Sequence, residues 1–224
     1  MRLITATEGL DANGRIAPLS LAVKDGRIAR LEAAPADAED LLILPALVNA
    51  HDHARPLRSS SVGGFGKPLE AWLHRLALMG PVDPYLATLA PLARAALGGQ
   101  GAVMIHQVRP MGLTEYVTET EQMARAARDV GLRVALGIGM RDCNPLVYDA
   151  HDQLLGKLEA TTRQEIEARF LSQPMMPIKD QLARVDAVAA AVAGPMFDVQ
   201  YAPNGPQWCS DAFWEAIAEA SALT

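Results

Sequence analysis

The sequence predicts an α/β protein: a small N-terminal β domain over residues 1–44, then four βα units over residues 45–224. Three observations predict it. Residues 41–50 are apolar almost to their end, as a strand buried on both faces of a parallel sheet reads. Three further strand-like runs alternate with stretches of helical spacing, the pattern of successive βαβ units. Asp25-Gly26 separates two apolar runs ahead of this alternation and marks a hairpin, because both residue types tolerate positive φ.

In chain order, residues 15–23 and 28–31 are the hairpin strands, and a polar, Ala-rich link covers 32–40. Pro45 interrupts the apolar run at 41–50, so the paired part of that strand is expected after it. Residues 68–99 have helical spacing, with Leu69, Trp72, Leu73 and Leu76 on one face and a break near Gly80-Pro81. In the same region Asp83 before Pro84 is expected to cap a helix. Residues 101–106 form the second barrel-type strand. Residues 114–130 form a helix stopped by Gly131. The third strand covers 132–138, and interrupted helices cover 164–193. The fourth strand covers 196–201, and Ser210-Asp211 caps a last helix from 212 to about 222. A barrel of eight βα units typically takes about 250 residues, and only about 180 follow the small domain. The four units are therefore either half a barrel or a complete open sheet.

The 224 residues are 50% hydrophobic and 21% charged, a composition able to bury a sizeable core. A net charge of -6 argues against a nucleic-acid partner, since phosphate binding needs a basic face. No apolar run approaches the roughly 18 residues of a membrane span, and no membrane partner is expected. Two cysteines, Cys143 and Cys209, are too few for a disulfide scaffold. Together with the lack of an apolar leader after Met1, they point to reduced thiols in the cytoplasm.

The chemistry concentrates at His51-Asp52-His53, directly after the first buried strand. Residues i and i+2 of extended chain project to the same side, so two imidazoles can meet one divalent cation there. Imidazole suits zinc first and iron second. His106 and Gln107 end the second strand and are candidate substrate contacts. Asn204, Gln207 and Trp208 follow the fourth strand, where amides and an indole suit recognition of a flat heterocycle.

The segment Leu44-Pro45-Ala46-Leu47-Val48-Asn49-Ala50-His51-Asp52-His53 resembles the signature of the amidohydrolase superfamily, an apolar, proline-containing strand ending in H-x-H. Lys24-Asp25-Gly26-Arg27-Ile28 is similar to the hairpin of that family's small β domain. Pro68-Leu69-Glu70-Ala71-Trp72-Leu73 resembles a helix start of its cytosine-deaminase-like and triazine-aminohydrolase-like branch. Tyr201-Ala202-Pro203-Asn204 through Asp211 resembles its fourth-strand loop, with Asn204 where a substrate-contacting histidine is common. Gly101-Ala102-Val103-Met104 keeps only the glycine of the family's second strand.

The resemblance implies the first half of a (β/α)8 TIM-type barrel with part of a small N-terminal β domain. It implies His51 and His53 as metal ligands, and a small heterocyclic amine or amide as substrate, cleaved at a C–N bond by metal-activated water. The family's later histidines and aspartate have no counterpart, so no catalytic residue is assigned within this chain, which reads as truncated. The alternative is a non-catalytic half barrel that folds by oligomerising or pairing with another chain. A homo-oligomer is expected, because a half barrel leaves strand edges open.

Overall fold

The computed structural model describes residues 1–11, 13–146 and 150–222. They form two compact units, Met1–Leu47 and Val48–Thr224.

The first unit is a four-stranded sheet. Its strands are β1 (Arg2–Leu10), β2 (Ile16–Lys24), β3 (Arg27–Ala33) and β4 (Leu42–Ile43), in the order β3-β2-β1-β4. The predicted hairpin is β2–β3. Asp25 and Gly26 take φ of 52° and 73°, the paired positive angles of a tight two-residue turn whose twist matches the strands. Ala6, Leu19, Ser20 and Ala22 are buried between β1 and β2, while β3 is exposed along its whole length.

The apolar run at 41–50 is not one strand. Leu42 and Ile43 pair in parallel with Glu8 and Gly9 of β1, and the chain breaks at Pro45. It resumes as β5 (Leu47–Asp52). Proline donates no ladder hydrogen bond, so the change of sheet falls where pairing fails. The expected burial of this strand on both faces is not met. Leu47 is 59% and Val48 73% exposed, because β5 is an edge strand.

The second unit has a four-stranded sheet in the order β5-β6-β7-β8, with β6 (Gln100–Gln107), β7 (Arg133–Met140) and β8 (Phe197–Pro203). The β6–β7 and β7–β8 pairs are parallel, with His106 opposite Gly137 and Gly137 opposite Gln200. Residues 68–79 do not form a full helix. They give α1 (Leu69–Leu73) and one turn of 3-10 helix (His74–Leu78). After Gly80-Pro81 comes α2 (Pro84–Leu97), capped as expected by Asp83, whose Oδ1 accepts from Leu86 N at 3.0 Å.

α3 (Tyr116–Val130) ends on Gly131 at φ 81°, a left-handed stop that glycine takes without strain. Short helices α4 (His151–Leu155) and α5 (Ala160–Ile166), the latter running into a π turn, precede α6 (Ile178–Val192). The last helix, α7 (Asp211–Ser221), is capped by Ser210, whose side chain accepts from Phe213 N.

Period-two alternation divides the sheet into two faces. Val103, Ile105, Val134, Leu136, Ile138, Met140 and Phe197 point to one side and are buried. There they pack with Leu92, Met123, Ala127, Val188 and Phe213 from the helices. His106, Gly137, Gly139 and Ala202 lie on the other face, at the carboxyl end of the strands. Among the described residues no helix is long and apolar enough to cross a membrane.

Candidate functional site

The site begins with the turn that leaves β5. Asn49 Oδ1 accepts from His51 N at 3.2 Å, and Asn49 Nδ2 donates to Asp52 Oδ2 at 3.0 Å. Asp52 Oδ1 accepts from Ala54 N at 2.7 Å. Ala54 is nearly buried and takes φ of 43°, a left-handed conformation that costs a non-glycine residue about 1–2 kcal/mol. The Asp52 carboxylate holds that turn, the local side-chain-to-backbone bonding to which Asp and Asn are suited. Neither Asn49 nor Asp52 stands out in the sequence. The Asn-x-His-Asp-x-Ala spacing that carries these bonds is visible only afterwards.

The turn sets the two histidines side by side. Ring centroids of His51 and His53 are 5.1 Å apart, edge to face. His106, from the neighbouring strand, stacks on His51 at 4.3 Å with 26° between ring planes. His53 Nδ1 donates to the backbone carbonyl of His106 at 2.8 Å. A carbonyl only accepts, so this bond fixes the Nδ1–H tautomer and leaves Nε2 with its lone pair.

Burial lowers the pKa of His53, reinforced by the Arg55 cation and opposed by the bond to the His106 carbonyl. Burial likewise lowers that of His106, with His51 adding to the effect. Neutral imidazoles, one of them oriented through its second nitrogen, are the form in which histidine ligates a divalent ion. His51 and His53 thus fit two positions of such a centre. Among the described residues no group of three or more His, Cys, Asp or Glu side chains is arranged to hold a metal.

The other candidate residues are placed differently. His106 lies on the same face as the histidine pair. Gln107 is 7% exposed and faces α3, where its Nε2 donates to Glu119 Oε1 at 3.0 Å and its Oε1 accepts from Tyr116 OH at 2.8 Å. Glu119 is only 2% exposed and also accepts from Met111 N at 2.8 Å and Gly112 N at 3.1 Å. A buried carboxylate on α3 therefore ties down the loop that follows β6. Sequence reasoning missed Glu119, which reads there as an ordinary helical acid. A pocket opens against this loop, with His53, His106 and Gln107 in its wall.

Asn204 leans over Gly139 of β7. A Cβ at Gly139 would stand 2.9 Å from Asn204 Oδ1 and 2.9 Å from the Gln107 carbonyl oxygen. Glycine at this position lets the Asn204 side chain lie across the sheet end. Gln207 and Trp208 belong to a loop strapped to the one after β7. Asn144 Nδ2 donates to the Gln207 carbonyl at 2.7 Å, and Asp142 N and Cys143 N donate to the Trp208 carbonyl. Asp142 in turn accepts from Ser210 N at 2.8 Å. The structure thus gathers His51, His53 and His106, sets Asn204 on the same sheet end, and fixes Gln207 and Trp208 in the adjoining loop.

Comparison with known proteins gives the fold a context. The chain superposes over its full length on 51% of an atrazine chlorohydrolase from Arthrobacter aurescens solved with zinc, at a TM-score of 0.70 and 17% identity. It matches 50% of an amidohydrolase from Brucella melitensis at a TM-score of 0.65 and 15% identity. A 5-methylthioadenosine/S-adenosylhomocysteine deaminase from Haloarcula marismortui is 33% identical over 103 residues, 45% of this chain and 22% of that protein. No protein-family model matches. The chain spans about half the length of these structural neighbours, and its four βα units have the fold of the N-terminal part of an amidohydrolase TIM barrel. The resemblance carried by the sequence motifs is met by neighbours that are triazine hydrolases and an amidohydrolase.

Proposed function

We propose that the chain is the first half of an amidohydrolase-superfamily enzyme, a metal-dependent hydrolase acting on a C–N bond of a small heterocyclic amine or amide. The observation that carries this reading is the His51–His53 pair at the carboxyl end of β5, with the His53 tautomer held by the His106 carbonyl. His51 and His53 would hold a divalent ion, zinc in the first place and iron in the second. A neighbour solved with zinc and a deaminase relative support that choice. The chemistry such an ion supplies is a water of lowered pKa, ready to attack an electron-poor carbon at neutral pH.

The chain's own residues do the rest. Asp52 and Asn49 fix the turn that presents both rings, and His106 orients one of them. His106 and Asn204 would contact the bound ring from the sheet end. Gln107 would shape the pocket wall, and Gln207 with Trp208 would close the far side. A catalytic zinc normally takes three protein ligands, so a complete centre needs a donor from outside this set. A cytoplasmic setting accords with the two free thiols, Cys143 and Cys209.

The test is zinc titration of the chain, together with ammonia release from a panel of heterocyclic amines by the chain and by any longer form. Zinc retention that depends on both histidines is expected. No retention by any form, and no turnover across the panel, would overturn the reading.

A second reading has its own observation. β5 and β8 are both edge strands, and Leu47 and Val48 are exposed. Exposed edges invite pairing with another chain. A non-catalytic half barrel that oligomerises would elute above monomer size in gel filtration and release no ammonia.

A further inference from the structure

We propose that the outer face of α2 is a homodimer contact, at which two copies of this chain pack α2 against α2 in antiparallel register about a two-fold axis.

α2 (Pro84–Leu97) carries a single charged residue, Arg94. The other long helices are charged on their water side: α3 has Glu119 buried but Glu121, Arg125, Arg128 and Asp129 besides, and α6 has Lys179, Asp180, Arg184 and Asp186. The inner side of α2 is packed. Pro84, Ala87, Thr88 and Leu92 are buried, and the Tyr85 hydroxyl donates to Asp129 of α3 at 2.8 Å. The opposite side is apolar as well. Leu86 is 55% and Leu97 90% exposed, and between them Ala90 is exposed and Ala93 half-buried. A helix apolar all round belongs in a buried place, so this face is built to be covered.

The stripe has the spacing of a helix–helix seam. Leu86, Ala90, Ala93 and Leu97 stand four, three and four residues apart, which keeps them in one line along the helix. Their order also reads the same from either end. Reversing a second helix about a point between Ala90 and Ala93 sets Leu86 against the partner subunit's Leu97, and Ala90 against the partner subunit's Ala93. A two-fold contact has this requirement, that one patch fit itself. The central alanines let the helix axes approach to about 8 Å, and the leucines close over both ends.

Charge selects the same arrangement. Asp83 and Arg94 are eleven residues, or three helical turns, apart, so they flank one side of the stripe at opposite ends. Antiparallel packing turns each Arg94 toward the end that bears the partner subunit's Asp83. Parallel packing would set the two copies of Arg94 side by side, a like-charge contact, and would align the helix dipoles unfavourably. This contact uses neither β5 nor β8 and does not depend on the metal reading. One helix face is smaller than the roughly 800 Å² per partner of a standard interface, so a micromolar Kd is expected.

The experiment is sedimentation equilibrium of the 224-residue chain, followed by cross-linking. The wild type should show a monomer–dimer equilibrium. Leu86→Lys and Leu97→Glu change exposed positions and should leave the urea midpoint unaltered. Each removes two leucines from the seam and should weaken dimerisation by at least about 100-fold. Register is read with Leu86→Cys and Leu97→Cys under diamide, with peptide mapping of the link. A mixture of the two variants should cross-link through the introduced thiols, and neither variant alone should do so. A wild type that stays monomeric to about 1 mM would overturn the proposal, and is the result if another segment of a longer polypeptide covers α2. Dimers that survive both charged substitutions, as pairing through β5 and β8 would give, would overturn it too. So would cross-linking of either cysteine variant to itself, or none in the mixture.

Discussion

The imidazole of His53 donates from Nδ1 to the backbone carbonyl of His106 at 2.8 Å. The turn after β5 is therefore tied to the end of β6 through the His53 side chain. His53 is oriented by a main-chain group, which no side-chain substitution at position 106 removes.

This gives an order for metal affinity. Outer partners of ligating histidines are worth roughly 10–100-fold, so loss of a ligand costs at least that. His51→Ala and His53→Ala should each weaken zinc binding by more than about tenfold. His106→Ala, which keeps its carbonyl, should weaken it by less. Chelator-competition titration checks the order, and an equal loss in all three variants would contradict it.

The Asp52 carboxylate supports a left-handed Ala54. Asp52→Ala removes that support in the manner of a lost cap and should destabilise the chain by about 1–2 kcal/mol in urea unfolding. Asp52→Asn retains an acceptor and should recover most of it.

Glu119 gathers three donors while almost fully buried. Glu119→Ala leaves those donors unpaired and should cost about 3–5 kcal/mol. Glu119→Gln sets an amide N–H against the Met111 or Gly112 N–H and should cost about 2 kcal/mol. Urea midpoints at constant m distinguish these losses from a change in compactness.

Gly139 admits no side chain. A methyl there would meet the Gln107 carbonyl oxygen and Val108 Cα at 2.9 Å, and both are backbone. Gly139→Ala should destabilise by about 1–3 kcal/mol and displace Asn204. Thermal unfolding and the Asn204 side-chain amide resonance would report it.

Alkaline pH should also weaken the fold. Burial pushes the Tyr116 hydroxyl up to about 12, with Glu119 adding to the effect and Arg184 opposing it. The bond to Asp186, with burial, pushes Tyr201 up to about 12. Folded-state values above the ordinary 10.0 mean that the folded chain holds these protons longer. Their stabilisation is full below pH 10 and is lost as pH rises toward 12. Tyr116→Phe and Tyr201→Phe should each flatten stability against pH in that window. An unchanged slope in both would contradict the assignment.

The strand–helix alternation was legible because the inner strands β6 and β7 carry their own buried stripes, Val134, Leu136, Ile138 and Met140 being the plainest. The Asp25-Gly26 turn and the caps at Asp83 and Ser210 were legible because they are local chemistry. β1 was not, since its burial depends on pairing with β2 rather than on its own pattern. The division of the run at 41–50 was half legible: Pro45 marks the break, but the pairing of Leu42 and Ile43 with β1 is long-range. At the site, the histidine pair could be read from spacing alone. The Gln107–Glu119 contact joins residues twelve apart across a strand and a helix, and only the folded chain reveals it.

The Glu119 clamp has a consequence for how the molecule responds to its medium. Dissolved ions attenuate attractions between solvated charges, yet they reach an enclosed carboxylate hardly at all. The anchorage of the segment after β6 is therefore insulated from ionic strength. Added sodium chloride should leave its grip on Met111 and Gly112 unaltered while surface ion pairs such as Arg30–Glu32 fade.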